Sequence, residues 1–314
     1  MIARIIRTIH PLGTNSSEHC GILLLDKPLG LSSSAATQRV RHLLGRVRAG
    51  HVGSLDPLAT GMLPICLGEA TKIAGVVLDG RKCYSFTIAL GARSSTGDAE
   101  GELLATAAVP QLSESQVLAA MQAFIGEQMQ VPPMYSAIKR AGKPLYQLAR
   151  AGITVDRPPR RIRIFELQCL GLRATGAQLD CRVICGKGTY VRTLAEDIAA
   201  ALGTLGHVIA LRRDWVEPFA QAAMTTMGAL QELVETGSLP GLIEPLAALP
   251  GLRRIQLDGL QARRLSQGQR LTWPDSVVGT VVVLDDAGRF LGLGQTGDGL
   301  LRPKRLLVAP RPAE

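Results

Sequence analysis

Residues Gly50 to Gly61 read Gly-His-Val-Gly-Ser-Leu-Asp-Pro-Leu-Ala-Thr-Gly and combine one carboxylate with a backbone suited to presenting it. Gly50, Gly53 and Gly61 admit conformations closed to other residues, and Pro57 fixes the chain directly after Asp56. A following proline also drives Asp56 out of the helical region, so its side chain projects from an extended or turn geometry. A fixed carboxylate near His51 suits acid–base or nucleophilic chemistry. Taken alone, the same residues also describe an ordinary Asp-Pro turn.

Two further sets of residues bear on that carboxylate. Arg192 follows Gly186-Lys187-Gly188, a tight turn, and falls in the first turn of an expected helix over Thr189 to Leu202. From there a guanidinium and the exposed N–H groups of a helix start can hold a carboxylate ionised, with Asp56 the candidate partner, although a first-turn arginine can also simply face water. Between Lys139 and Arg163, eight bases (Lys139, Arg140, Lys143, Arg150, Arg157, Arg160, Arg161 and Arg163) stand against one acid, Asp156. A solvated face normally interleaves both signs, so this excess favours a surface that tracks phosphates, positioning a nucleic acid rather than reading it.

The elements that must position these groups are legible as patterns. Gly21 to Leu25 reads as a buried strand ending in the Asp26-Lys27-Pro28-Leu29-Gly30 turn, and a helix is expected from the serine run to about Leu44. Its Val40, Leu43 and Leu44 face a core, while Arg39, Arg41, Arg46 and Arg48 make the approach to the Asp56 loop positive. Cys83 to Leu90 and Leu179 to Cys185 read as strands. Ser113 and Gln116 predict a capping box before a helix over about 114–125. From Ile255 short strands and turns take over, with a hairpin over Val281 to Leu293, and the Leu230 to Pro250 stretch reads as a linker.

Composition narrows the class. The chain has 314 residues, and 35 Lys and Arg against 26 Asp and Glu give a formal charge of +9, which favours a polyanionic partner. Its six cysteines (Cys20, Cys66, Cys83, Cys169, Cys181 and Cys185) lack paired metal spacing and read as reduced core residues. Cys181 and Cys185 share a strand face, but no metal or cofactor is expected. No apolar run is long enough to span a bilayer and no secretory signal is evident, so a cytoplasmic protein is expected. Residues 1–20 read as a flexible basic extension, with a weaker organelle-targeting reading.

A set of motifs in one order resembles the TruB family of tRNA pseudouridine synthases. These are Leu25-Asp26-Lys27-Pro28, the Gly50 to Gly61 loop, Gly68-Glu69-Ala70-Thr71-Lys72, Lys82-Cys83-Tyr84 and Pro132-Pro133-Met134-Tyr135-Ser136-Ala137-Ile138-Lys139. Pro144-Leu145-Tyr146 with Ala149-Arg150, Lys187 to Arg192, and Leu211-Arg212-Arg213 continue the series to about residue 219. Val52, Ser54 and Gly186 depart from the residues usual in the family. The resemblance implies that Asp56 is the essential aspartate, Tyr84 packs on the target base and Arg192 pairs with Asp56. It further implies that His51, Tyr190 and Leu211 line the bound uridine, with Lys27 and Pro28 supporting the loop from below. Tyr84 and Tyr190 could each instead be core aromatics.

The implied reaction moves uracil from N1 to C5 attachment. Hydrolytic glycosidases usually need two carboxylates, whereas an isomerase that excludes water needs one. Attack on C1′, addition to the ring and removal of a C2′ proton all remain open for Asp56. The implied substrate is uridine 55 in the T loop of tRNA, flipped from its stack, with Lys139, Arg140, Lys143, Arg150, Arg160 and Arg161 gripping the T-arm backbone. The expected architecture is an α+β catalytic domain around an antiparallel sheet over 21–249, then a small β-rich, PUA-like module over 250–314. A monomer without an obligate protein partner is expected. The competing readings are a guide-RNA-dependent pseudouridine synthase of a ribonucleoprotein and a non-catalytic RNA-binding or RNA-folding protein on the same scaffold.

Overall fold

The computed structural model of the chain describes residues 20–173, 176–274 and 278–307. The expected N-terminal extension, residues 1–20, lies outside the described residues apart from Cys20. Largely apolar runs, buried on both faces of the sheet, build β1 (Gly21–Lys27), β3 (Ala59–Leu67) and β4 (Lys82–Leu90), with the short β2 (Ala49–His51) between β1 and β3. Between β1 and β2 runs α1 (Ser33–Leu43), capped by Ser32, whose side chain accepts from the Ala35 N–H. A short 3-10 turn (Gly68–Ile73) and α2 (Ala74–Leu78) separate β3 from β4.

After β4 the chain makes a hairpin, β5 (Ala92–Ser94) and β6 (Leu103–Thr106), then α3 (Glu114–Gln122), which carries the expected reciprocal Ser113–Gln116 capping box. Strand β7 (Gly126–Gln130) leads into the basic segment, folded as the tiny hairpin β8 (Lys139–Arg140) and β9 (Lys143–Pro144) followed by α4 (Leu145–Arg150). Then come β10 (Arg160–Arg173), β11 (Gln178–Cys185), α5 (Val191–Ala201), β12 (Gly206–Val216), β13 (Thr225–Thr226) and α6 (Met227–Glu235). The helix anticipated from Thr189 starts two residues later, because Tyr190 keeps extended backbone angles as its N-cap.

Nine of these strands form one sheet in the order β13-β1-β3-β12-β4-β11-β10-β7, with β2 also paired to β3. The sheet is mixed rather than purely antiparallel, since β1 runs parallel to β13 and β3 parallel to β12. One face carries the main core: Leu23, Leu25, Leu63, Ile65, Phe86, Ile88, Cys181 and Val183 pack under α1, α3 and α5. In α5, Val191, Leu194, Ala195, Ile198 and Ala199 are all buried, and each large apolar side chain there contributes roughly 1.5–3 kcal/mol.

The remaining strands, β14 (Arg254–Gln256), β15 (Leu271–Thr272), β16 (Gly279–Leu284), β17 (Phe290–Gly297) and β18 (Leu300–Leu306), form a separate five-stranded sheet covered by α7 (Gly259–Ser266). It rests on the second face of the large sheet: Val282 and Leu293 join Ile22, Leu24, Met62, Cys66, Ile73 and Val216 in one apolar cluster. Lys72 bridges the two units by donating to the Leu306 carbonyl at 2.8 Å and pairing with Glu69 at 2.6 Å.

The expected linker over Leu230 to Pro250 is instead packed structure. Leu230 is fully buried on α6, Ala248 and Leu249 are buried beside the 3-10 turn Pro245–Ala248, and Ile243 exchanges two 2.9 Å backbone hydrogen bonds with Ile22. Its prolines and glycines break helices without loosening the chain, because Pro245 occupies the first position of a helical turn where it loses no hydrogen bond.

Candidate active site

The loop carrying Asp56 is clamped on both sides. Before it, the Leu55 N–H donates to Ser33 Oγ at 2.7 Å and Ser33 Oγ donates back to the Leu55 carbonyl at 3.0 Å, fixing the loop to the start of α1. After it, the Pro57 carbonyl accepts from the Gly30 N–H at 2.9 Å and from Lys27 Nζ at 3.3 Å. Lys27 is wholly buried and also donates to the carbonyls of Pro28 and Leu31, so it acts as a cross-brace under the loop. Burial lowers its pKa to about 8 against the pull of Asp56.

Arg192 meets Asp56 directly, with Nε 2.9 Å from Oδ2. The same guanidinium lies 3.6 Å from Asp98 and donates to the Thr96 carbonyl at 2.6 Å and the Tyr135 carbonyl at 2.7 Å. One buried fork therefore ties together the Asp56 loop, the turn after β5 and the stretch that leads into the basic segment. Burial pushes the Asp56 carboxyl above its ordinary value; Arg192 opposes this, and the neighbouring Asp98 reinforces it. A carboxyl held up in this way is more basic than a free one while keeping a cation beside it.

Asp98 is a second carboxylate that sequence reasoning missed. Its side chain is 3% exposed, and its Oδ1 accepts from Thr96 Oγ1 at 2.5 Å and from the Glu100 N–H at 3.1 Å. It is thus spent on holding Arg192 and its own turn, and Asp56, with a side chain 39% exposed, is the carboxylate that faces outward. The Thr96-Gly97-Asp98 turn was the available signal.

A single row across the sheet sets Lys27, Gly61, Arg213 and Tyr84 side by side on β1, β3, β12 and β4. Arg213 is completely buried, donating to the Met62 carbonyl at 2.7 Å and the Gly53 carbonyl at 2.9 Å. It therefore grips the loop from beneath. Burial raises the pKa of the Tyr84 hydroxyl, while its charge and hydrogen-bond interaction with Arg213 opposes the rise. Gly61 has φ +96°, and a Cβ there would lie 2.2 Å from the Arg213 carbonyl oxygen, so only glycine fits. Arg213 was visible in sequence only as part of a motif; its signal was a charge at a core-facing position two residues after Leu211.

The other expected site residues lie on β2, on β12, at the start of α5 and along the basic segment. His51 ends β2 with Nδ1 3.3 Å from Thr37 Oγ1 and Nε2 3.3 Å from Ser54 Oγ. Burial, and then Arg213, lower its pKa, which favours the neutral ring. Leu211 is buried between its cross-strand neighbours Ala59 and Phe86. Tyr190 stands two residues before Arg192, its backbone held on both sides by Gln130. Lys139, Arg140, Lys143, Arg150, Arg160 and Arg161 are exposed, but not all are free: Arg161 pairs with Glu127 at 3.5 Å, Arg140 donates to the Asp156 carbonyl and Arg150 lies over the Tyr146 ring.

With this geometry in place, the relatives are informative. Residues 41–191 match the N-terminal domain of TruB family pseudouridylate synthases, residues 192–249 the tRNA pseudouridylate synthase B C-terminal domain, and residues 254–307 the pseudouridine synthase II TruB C-terminal region. Over 289 residues the chain is 50% identical to tRNA pseudouridine synthase B of Aromatoleum aromaticum, covering 91% of this chain and 92% of that protein. The chain belongs to the TruB family. The corresponding protein of Xanthomonas euvesicatoria is 47% identical over the same coverage of this chain and 93% of its own length. Two solved structures share the TruB fold at low identity. A chain of an H/ACA ribonucleoprotein bound to a substrate RNA containing 2′-deoxyuridine matches with TM-score 0.70 and 20% identity, covering 98% of this chain and 93% of that one. A chain of a Cbf5-Nop10-Gar1 complex matches with TM-score 0.66 and 21% identity, covering 93% and 85%.

Among the described residues no helix is long and apolar enough to cross a membrane.

Proposed function

We propose that this TruB family member isomerises uridine 55 in the T loop of tRNA to pseudouridine, using Asp56 as the reacting carboxylate. The observation that carries the reading is the Arg192 fork, which holds Asp56 at 2.9 Å while engaging Asp98 in the same grip. Of the two carboxylates in the Arg192 grip, Asp56 is presented and Asp98 is sequestered, an arrangement suited to isomerisation, where no second acid has to activate water.

In this reading the glycosidic C1′–N1 bond breaks, the uracil turns, C5 bonds to C1′ and the C5 hydrogen leaves to solvent while N1 gains a proton. Arg192 keeps Asp56 charged and aimed, Tyr84 supports the base, and His51, Tyr190 and Leu211 wall the pocket so that the free uracil stays beside the ribose. The target nucleotide reaches Asp56 by flipping out of its stack, with neutral His51 at the vacated position. Lys139, Arg140, Lys143, Arg150, Arg160 and Arg161 bind T-arm phosphates, and the PUA-like C-terminal module extends the contact beyond that arm. The enzyme works as a cytoplasmic monomer without a guide RNA.

The test is a T-arm RNA labelled with tritium at uridine C5. The wild type should release label stoichiometrically without metal or guide RNA, and Asp56→Asn should release none. Full release by the variant, or strict dependence on a guide RNA, would overturn the reading.

A further inference from the structure

From Lys27 to Leu55 the chain carries no Asp or Glu, yet it holds Arg39, Arg41, Arg46 and Arg48 together with His42. None of these four arginines has a carboxylate partner among the described residues, in contrast to Arg81, Arg173, Arg192, Arg212 and Arg289, which do. Gln38, Arg41, His42 and Arg46 line a shallow recess of about 340 Å³ at the C-terminal end of α1. Arg46 reaches it through a left-handed backbone, φ +63°, unusual for a residue with a side chain, with its N–H donating to the Arg41 carbonyl at 2.7 Å. Arg41 in turn points Nη1 toward Gln38 Oε1 and Nε toward the Arg46 carbonyl, each at 3.5 Å.

The recess lies on a direct line from the reacting centre. Ser33, at the start of α1, is bonded to Leu55, next to Asp56. Thr37, one turn along, touches His51, and Arg41 follows one turn after that. The 11 residues of α1 span about 16 Å, so the helix forms a rail from the catalytic loop to the cluster. Guanidinium donors gather there with no carboxylate partner among the described residues, and guanidinium forks suit phosphate oxygens.

We propose that Gln38, Arg41, His42 and Arg46 form a binding site for a backbone phosphate of the RNA whose uridine enters the Asp56 loop. The inference rests on the function proposed above and adds a contact separate from the Lys139–Arg163 segment. The site orients the RNA along α1 and takes no part in bond rearrangement.

The test measures affinity against salt concentration for wild type and for Arg41→Gln with Arg46→Asn, asparagine being chosen because it tolerates a left-handed backbone. Two RNAs are used: an isolated T-arm stem-loop and a full tRNA transcript. The variant should bind about tenfold more weakly near 0.1 M salt, with the log–log slope shallower by roughly 0.7–0.9 for each phosphate lost. Its single-turnover tritium release at saturating RNA should match wild type, and its thermal melting should be unchanged. Loss with both RNAs places the phosphate in the T arm, and loss with the full tRNA alone places it elsewhere in that molecule; either supports the site. Unchanged affinity and slope with both RNAs would overturn it, as would a fall in saturated turnover with binding intact. A wild type that binds tRNA but releases no tritium would instead overturn the proposed function.

Discussion

Replacing Arg192 by Met is the most searching perturbation of the candidate site. At an effective dielectric near 20, unit charges 2.9 Å apart attract by about 6 kcal/mol. Because the Asp56 side chain is 39% exposed, solvent screening reduces this to roughly 2–3 kcal/mol. Without that cation, burial and Asp98 push the Asp56 carboxyl further up, against only the lesser pull of Lys27. If the reaction needs the carboxylate, saturated single-turnover tritium release at neutral pH should fall about 30- to 150-fold. Activity depends on the ionised form, so it is present above the Asp56 pKa; raising that pKa moves the acid limb of the pH–rate profile to higher pH, and alkaline buffer should restore part of the variant's rate. The variant should also lose roughly 3–5 kcal/mol of stability, since Asp98, 3% exposed, is left without its cation. Arg192→Lys guards against misreading an unfolded protein: it keeps the charge, cannot serve all four acceptors, and should fall between wild type and Arg192→Met. Wild-type turnover in a folded Arg192→Met, or a defect confined to RNA affinity, would refute the assigned role.

Three other outcomes follow from the same geometry. Gly61→Ala should destabilise the fold by at least about 2 kcal/mol and depress turnover, because its Cβ would meet the Arg213 backbone at 2.2 Å; a melting temperature within a degree of wild type would contradict this. Lys27 has a folded pKa of about 8 against an ordinary 10.5, so the unfolded chain binds more protons between those values. The stability of wild type relative to Lys27→Met should therefore rise across pH 8 to 10.5, by up to about 3 kcal/mol, and a flat difference in denaturant titrations would remove that assignment. Arg160→Ala with Arg161→Ala should weaken tRNA binding and flatten its salt dependence with little change in saturated turnover, measured by filter retention beside tritium release.

The parts of the site that sequence exposed were those with strong local constraints. The Asp56 loop carries glycine and proline at positions where few backbones are available, and Arg192 follows a recognisable turn at a helix start. Asp98 escaped notice because a Thr-Gly-Asp turn has no apolar period to mark it as buried; its importance arises from the approach of α5 across the sheet. Arg212 and Arg213 look equivalent in sequence, yet strand alternation sends the first to Asp26 on one face and the second into the core on the other. The fold class was legible from alternating and helical patterns, whereas the two parallel pairings were not, since parallel order depends on connections rather than on side-chain period. Composition misled most in the 230–250 stretch, where proline and glycine mark the ends of short packed elements.

The apolar cluster linking Val282 and Leu293 to Ile22, Leu24 and Met62 governs how the molecule comes apart. A chain cut before β16 would uncover the part of the large sheet's second face that Val282 and Leu293 now cover, so truncation would damage solubility and folding before it could report on RNA reach. The two sheets should melt in one cooperative transition, and the C-terminal unit is better probed by exposed substitutions on β18 than by deletion. Heat or denaturant would thus disable substrate grip and catalysis together, leaving no half-folded enzyme able to bind tRNA without modifying it.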